Sequence, residues 1–410
     1  MYKKSICILL IIFIIFNFII FRFITRDKIN SNNLDKSSQF LIGVNIHFLK
    51  PSVQEVNKLQ DGGFKIVRRD LSWGNIEKKK GVYDFSQYDK LVKSMSENNI
   101  KILFILDYSN PLYDKNLSPY TNNGRKAFAN FAKAAVEHYK GKQIIWEIWN
   151  EPNITFWKPK PNVDNYFKLV IETITAIKSK DKNAFIMAPA LSTFDYDYLN
   201  CLGKYGLFKL INAISIHPYR AENPETIIDD YKRLRDLIQK YPHNKNIEIS
   251  SGEWGYSTSL DGMNDIKQAQ YCIRSYLINI MCGININIWY DWRDDGIDKN
   301  NIEDNFGIVY NDLTPKPSYY AIKTMNKVLD GYRYIKRIDV GSKDDYVLMF
   351  EKNNKMVYAL WTTGKDHNVK VDLKSKKIEV IDFIGKNYSD KVSNKEYKIS
   401  IDENVKYILN

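Results

Sequence analysis

The 410-residue chain is poor in the residues that build small disulfide or metal scaffolds: it has four cysteines and five histidines. Cys7 lies in an apolar N-terminal run, and Cys201, Cys272 and Cys282 are an odd number at unrelated spacings, which excludes a disulfide framework. His47, His138, His217, His243 and His367 form no metal-spaced pair, so no metal site is expected. No Gly-rich phosphate turn follows the first apolar run, which argues against a dinucleotide site, and no cofactor is implied. Clustered basic charge is also missing. The net charge is +12, but the lysines are scattered, and the only basic run, Lys78 to Lys80, falls in an expected loop. No nucleic-acid partner is therefore expected.

What the chain does have begins at its N-terminus. After Lys3 and Lys4, residues Ser5 to Phe21 carry no charge and are dominated by Ile, Leu and Phe, with Arg22 and Arg26 closing the run. This pattern reads as an export signal. It is slightly shorter than the roughly 20 residues of a comfortable membrane span. No small-x-small cleavage pattern follows, so a retained membrane anchor over 1–26 is favoured over a cleaved signal peptide, with 27–39 as a polar linker. Either way the body of the protein is expected outside the cytoplasm, secreted or tethered to the membrane.

From residue 40 one theme repeats. A short apolar run ends in polar or aromatic residues and an amphipathic helical stretch follows. The runs are FLIGVNIHF, FKIVRRDLSW, KILFILDYS, QIIWEIWNEP, AFIMAPALS, AISIHPY, IEISSGEWG and GININIWYDW. Between them, stretches such as Tyr88 to Asn98, Lys126 to Tyr139, Tyr166 to Lys178, Thr226 to Tyr241 and Ile266 to Met281 place apolar residues three and four apart. Eight such units predict an α/β fold, a closed (β/α)8 barrel over 40–330. From residue 331 onward the texture changes to alternating apolar and polar residues between turn-forming clusters, which predicts a small antiparallel β-sandwich over 331–410.

In such barrels the chemistry gathers where the strands end. Those ends hold His47, Arg68 to Asp70, Asp107, Asn150, Glu151, His217, Tyr219, Glu253 and Trp289 to Asp291, with Trp254, Trp292 and Trp157 at or just beyond them. Glu151 closes the fourth run and Glu253 the seventh, each beside a tryptophan. Two carboxylic acids on one rim are what glycosidic cleavage requires, one to protonate the departing oxygen and one to attack the sugar or activate water. The indoles of Trp73, Trp157, Trp254, Trp289 and Trp292 are expected to stack on sugar rings, with at least two of them plugging the mouth instead. His47 and His217 are candidate sugar contacts. Arg293, Asp294 and Asp295, after the eighth run, are candidates for polar or amino-sugar substituents.

WNEPN after an apolar strand, together with SGEWGYST, resembles the acid/base and nucleophile signatures of the clan A glycoside hydrolases. GFKIVRRDLSWGNIEKKKGVYDFSQYDKLV, ISIHPY and FGIVYNDLTPKPSYYAI resemble other parts of the same barrels, and the likeness within the clan is nearest to glycoside hydrolase family 39 and related exopolysaccharide-cleaving glycosidases. The resemblance implies Glu151 as general acid/base, Glu253 as nucleophile, Arg68 as its support and Asn150 as a contact to the sugar 2-hydroxyl. Burial beside Trp146 and Trp149 is expected to raise the pKa of Glu151. Arg68 and the Tyr219 hydroxyl are expected to keep Glu253 ionised. The expected reaction is retaining hydrolysis of β-glycosidic bonds in an extracellular or cell-surface polysaccharide. A β-xylosidase or other exo-glycosidase is the alternative within the class, and a non-catalytic polysaccharide-binding or assembly protein is the alternative outside it.

Overall fold

The computed structural model describes residues 40–410 except 374, 376 and 392–395, and the described residues belong to one compact unit. The apolar N-terminal run and polar linker lie outside the described residues. Among the described residues, no helix is long and apolar enough to cross a membrane.

Eight parallel strands close into a barrel: β1 (Leu41–Asn45), β2 (Ile66–Ser72), β3 (Lys101–Asp107), β4 (Ile144–Ile148), β5 (Phe185–Ser192), β6 (Ala213–His217), β7 (Glu248–Trp254) and β8 (Ile286–Trp289). Each run is nearly continuous in apolar residues because both of its faces are covered: one points into the barrel, the other toward the helices. Closure needs a glycine on β1. There Gly43 pairs with Ile66 and Ile288, and a Cβ would lie 2.4 Å from the Ile66 carbonyl oxygen and 2.9 Å from Ile288 Cδ1.

The outer ring consists of α1 (Val53–Asp61), α2 (Ser86–Glu97), α3 (Asn122–His138), α4 (Val163–Lys180), α5 (Tyr196–Lys204), α6 (Ile227–Gln239), α7 (Asp265–Met281) and α8 (Pro317–Val328). Helix starts follow capping chemistry. Ser52 and Glu55 form a reciprocal capping box on α1, with Glu55 N donating to Ser52 Oγ at 3.1 Å and Ser52 N to Glu55 Oε2 at 2.8 Å. Asn162 and Asn264 cap α4 and α7 from one side only, each side chain accepting a backbone N–H of the first turn. α1 and α5 are too short for their periodicity to stand out in the sequence.

After α8 the chain builds a six-stranded antiparallel sheet and a two-stranded one. The strands are β9 (Arg333–Arg337), β10 (Asp345–Lys352), β11 (Lys355–Thr362), β12 (His367–Asp372), β13 (Lys377–Asp382), β14 (Asn387–Lys391), β15 (Glu396–Ile401) and β16 (Lys406–Leu409). The large sheet runs β14-β13-β16-β11-β10-β9, and β12 pairs with β15. β12 and β15 alternate buried and exposed residues as expected. β10 and β11 depart from that alternation because they are buried on both faces. Val347, Tyr358 and Leu360 face the small sheet with Val369, Val371 and Ile399, whereas Leu348, Phe350, Val357 and Trp361 join the barrel's own core.

That second face is fixed by polar contacts as well. Arg274 on α7 donates from Nε and Nη2 to the two oxygens of Glu225, both at 2.7 Å, and Trp361 Nε1 donates to Glu225 Oε1 at 2.7 Å. Trp361 also stacks on Tyr346, with ring centres 4.9 Å apart.

Candidate active site

The strand ends converge on a cleft of about 390 Å³ whose lining includes Asn45, His47, Arg68, Asp70, Asn150, Glu151, Tyr219 and Glu253. Its organising group is Arg68, on β2, which is fully buried. Arg68 Nη1 donates to Glu253 Oε2 at 2.7 Å, Nε to Glu147 Oε2 at 2.7 Å, and Nη2 to Asn150 Oδ1 at 2.7 Å. Burial alone would weaken its charge, but the carboxylates of Glu147 and Glu253 outweigh it and hold the guanidinium firmly protonated. The other oxygen of Glu253 accepts from the Tyr219 hydroxyl at 2.7 Å. Burial, followed by the Glu253 charge, pushes Tyr219 far above the usual phenol range, so it stays a donor.

Glu151 reaches the cleft because the backbone breaks the strand's alternation. Consecutive residues of a strand point to opposite sides, yet Asn150 and Glu151 both line the cleft. Trp149 and Glu151 take up the difference with left-handed φ values of 67° and 44°. Such conformations cost about 1–3 kcal/mol each for non-glycine residues and persist only where the surroundings enforce them. Here Trp149 N donates to Leu106 O on β3 at 3.0 Å and Glu151 N to Ala190 O on β5 at 2.8 Å.

The Glu151 carboxyl sits 2.9 Å from His217 Nδ1, at the end of β6. His217 Nε2 faces the Arg68 Nη2 donor at 3.4 Å, so the network assigns the ring proton to Nδ1, donating to Glu151. The expected rise in the Glu151 pKa is therefore reversed. Burial does push it up, but the His217 hydrogen bond, with help from Arg68 and Ser192, brings it below the ordinary value. Oxygen atoms of Glu151 and Glu253 and a His217 nitrogen all lie within 4.8 Å of one another. A glycine is required beneath them: a Cβ at position 252 would lie 2.0 Å from Ser215 Oγ and 3.3 Å from both Glu147 Oε1 and His217 Nε2.

These three side chains have the composition of a metal site, but Arg68, hydrogen-bonded to Glu253, places a fixed positive charge where a cation would need the oxygen. A second trio of this kind, His47, Asp291 and Asp295, stands on the β1–β8 side.

Other expected site residues are placed differently. Asp107 is fully buried at the end of β3 and does not line the cleft; burial and the neighbouring Asp70 push its carboxyl well above the usual range. Trp157, Trp254, Trp289 and Trp292 are each about 1% exposed and offer no face to a sugar. Trp157 packs on Trp149 and Tyr166, Trp254 and Trp289 on Tyr256, and Trp292 on Phe64 and Tyr319. Trp73, also 1% exposed, stacks on Tyr113. These indoles wedge between strands and helices. The ring exposed at the cleft is Phe156, 44% exposed and stacked on Tyr108 at 5.7 Å, and Tyr290 and Phe306 line the opposite wall.

Tyr290 belongs to the strand end Trp289 to Asp291 read from the sequence, whereas Asn45, Glu147, Tyr108, Phe156, Glu303 and Phe306 were not anticipated. Glu147 had a signal, a lone acid inside an apolar strand, and Asn45 closes β1 as Asn150 follows β4. The aromatic residues and Glu303 had none, since loops place them.

Residues 33–295 match the cellulase family, glycosyl hydrolase family 5. A beta-xylosidase of Geobacillus stearothermophilus is 23% identical over 327 residues, which cover 69% of this chain and 62% of that protein; the chain thus spans under two thirds of the relative's length. A family 39 glycoside hydrolase from the gut symbiont Bacteroides cellulosilyticus shares the fold with a TM-score of 0.80 at 23% identity, over 91% of this chain and 81% of that one. A monomeric beta-xylosidase from Caulobacter crescentus does so with a TM-score of 0.68 at 16% identity, over 90% and 95%.

Proposed function

The chain belongs to the cellulase family, glycosyl hydrolase family 5, and from that premise we propose that it is a retaining glycoside hydrolase acting on β-linked polysaccharide by double displacement. The observation that carries this reading is the approach of Glu151 and Glu253 to within 4.8 Å across an open cleft. Retaining enzymes hold their carboxyl groups about 5–5.5 Å apart, whereas inverting ones leave roughly 6.5–9.5 Å for a water. In the first step Glu253 attacks the anomeric carbon while Glu151 gives its proton to the glycosidic oxygen, and the aglycone departs. In the second, Glu151 takes a proton from water as that water's oxygen displaces Glu253 from the sugar.

Each supporting group has a task. Arg68 and Tyr219 fix the two Glu253 oxygens in place. Asn150 lines the cleft and is held through its own oxygen by Arg68, so its amide nitrogen is the donor left for the Tyr108 hydroxyl and a sugar hydroxyl, and contacts to the 2-hydroxyl strengthen as positive charge develops on the ring. The His217 bond favours ionised Glu151, which suits the base half of the cycle. The uncharged run Ser5 to Phe21 supports export, with the substrate met outside the cytoplasm or at the cell surface. The names of two relatives, both beta-xylosidases, favour a β-xylosidase as the second reading.

Trapping with a panel of 2-fluoro glycosides, followed by peptide mapping, tests the proposal. Label on Glu253 is the expected result. No label from any sugar in the panel would overturn it in favour of a non-catalytic polysaccharide-binding protein.

A further inference from the structure

The wall of the cleft built by β1, β8 and the loop after β8 carries more acid than its cations neutralise. His47 Nδ1 lies 2.7 Å from Asp295 Oδ1 and 3.7 Å from Asp291 Oδ2. Asp291 is only 2% exposed, and its Oδ1 has no hydrogen-bond partner among the described residues. Glu303, from the loop after β8, lines the cleft within electrostatic reach of both Glu253 and Asp295.

The positive groups of the same loop are engaged elsewhere. Lys316 Nζ is 2.7 Å from Asp294 Oδ1 in a buried pair, Arg293 Nη1 faces Glu55 at 3.5 Å, and Lys299 Nζ donates to Asn305 Oδ1 at 2.6 Å. Of Arg293, Asp294 and Asp295, only Asp295 is left paired with His47, which lines the cleft. The crowding is felt by the acids themselves: burial first, then Asp295 and Asp294, hold Asp291 well above the ordinary carboxyl range, and burial with Glu253 and Asp295 raises Glu303.

A neutral sugar offers no charge to relieve this. An ammonium group brings one positive charge and three N–H donors on a compact centre. A uronic acid would add a further negative charge and be repelled.

We propose that Glu303 and Asp295, with His47 beside them and the buried Asp291 behind it, form a subsite for a protonated amino group, so that the glycan processed carries free amino sugars. This rests on the glycosidase reading and names the substrate class for the same cleft.

The test is calorimetric binding to the full chain carrying Glu151→Ala, using matched β-linked glucosamine and N-acetylglucosamine oligomers and a neutral xylo-oligosaccharide. The amino form is expected to bind at least tenfold more tightly than the other two, with a preference that shrinks at high salt. Asp295→Asn and Glu303→Gln, changes at two exposed side chains, should each lower that preference about tenfold, or 1.4 kcal/mol. Equal affinity for the three oligomers, or a preference unmoved in both variants, would overturn the inference. So would a preference that vanishes with EDTA and returns with Zn²⁺, which would assign the trio to a metal instead. The two proposals fail separately: Glu253 labelled by a 2-fluoro glycoside without amino-sugar preference sinks only this one, and preference without label sinks only hydrolysis.

Discussion

Arg68 and Arg274 are both fully buried arginines pinned by carboxylates at 2.7 Å, yet they serve opposite ends. Arg274 meets one acid, Glu225, through a two-pronged bond, and Trp361 closes the remaining approach. Charge is matched and water excluded. Arg68 meets two acids, Glu147 below and Glu253 above, and Glu253 retains some exposure toward the cleft. Burial and geometry alone would not distinguish a structural clamp from a site. What separates them is surplus negative charge beside an opening.

The comparison can be broken most severely at Glu253. Glu253→Gln should reduce hydrolysis by at least about 10⁴-fold, as loss of a nucleophile does in other covalent enzymes, with a melting temperature close to that of the parent chain. Full activity in that variant would remove the distinction altogether.

Next come the arginines. Removing one partner of a buried pair strands the other and costs about 3–5 kcal/mol. Arg274→Met and Arg68→Met should both lose stability on this scale in urea unfolding. Only Arg68→Met should also lose turnover when assayed well below its unfolding midpoint; equal turnover in the two would show that charge surplus teaches nothing. Trp361→Phe, which keeps the ring but takes one donor from Glu225, should cost about 1–3 kcal/mol and leave kcat/KM as it was.

The smallest effect is a shift along the pH axis. Glu151 must be protonated to act as an acid, so turnover falls as pH rises through its pKa, which His217 lowers. His217→Asn removes that influence, and the basic limb of the kcat/KM profile should move to higher pH. A shift to lower pH would contradict the assigned hydrogen bond.

The barrel was legible because each βα unit writes its own signature, a short apolar run and then a three-four repeat, and eight repetitions average out local errors. Glu151 and Glu253 were legible for the same reason: the end of a strand can be found without knowing its neighbours. Tryptophan at a strand end was misleading. An indole there produces the same letters whether it opens onto the cleft or wedges against a helix, and packing decided for the latter at positions 157, 254, 289 and 292. Glu147 was passed over because an acid in an apolar run looks like noise until Arg68 is seen reaching for it from another strand. The sign of the Glu151 shift turned on His217, a partner from β6. β10 and β11 hid their double burial because the sequence does not announce that a second body lies against them.

The left-handed turn at Trp149 and Glu151 ties the aim of the Glu151 carboxyl to two carbonyl groups, one on each flanking strand. Neither strand can slide without swinging that carboxyl, so the cleft reads the barrel's local order as a gauge reads alignment. Gentle heating should on this account silence the chemistry while the bulk of the molecule is still folded.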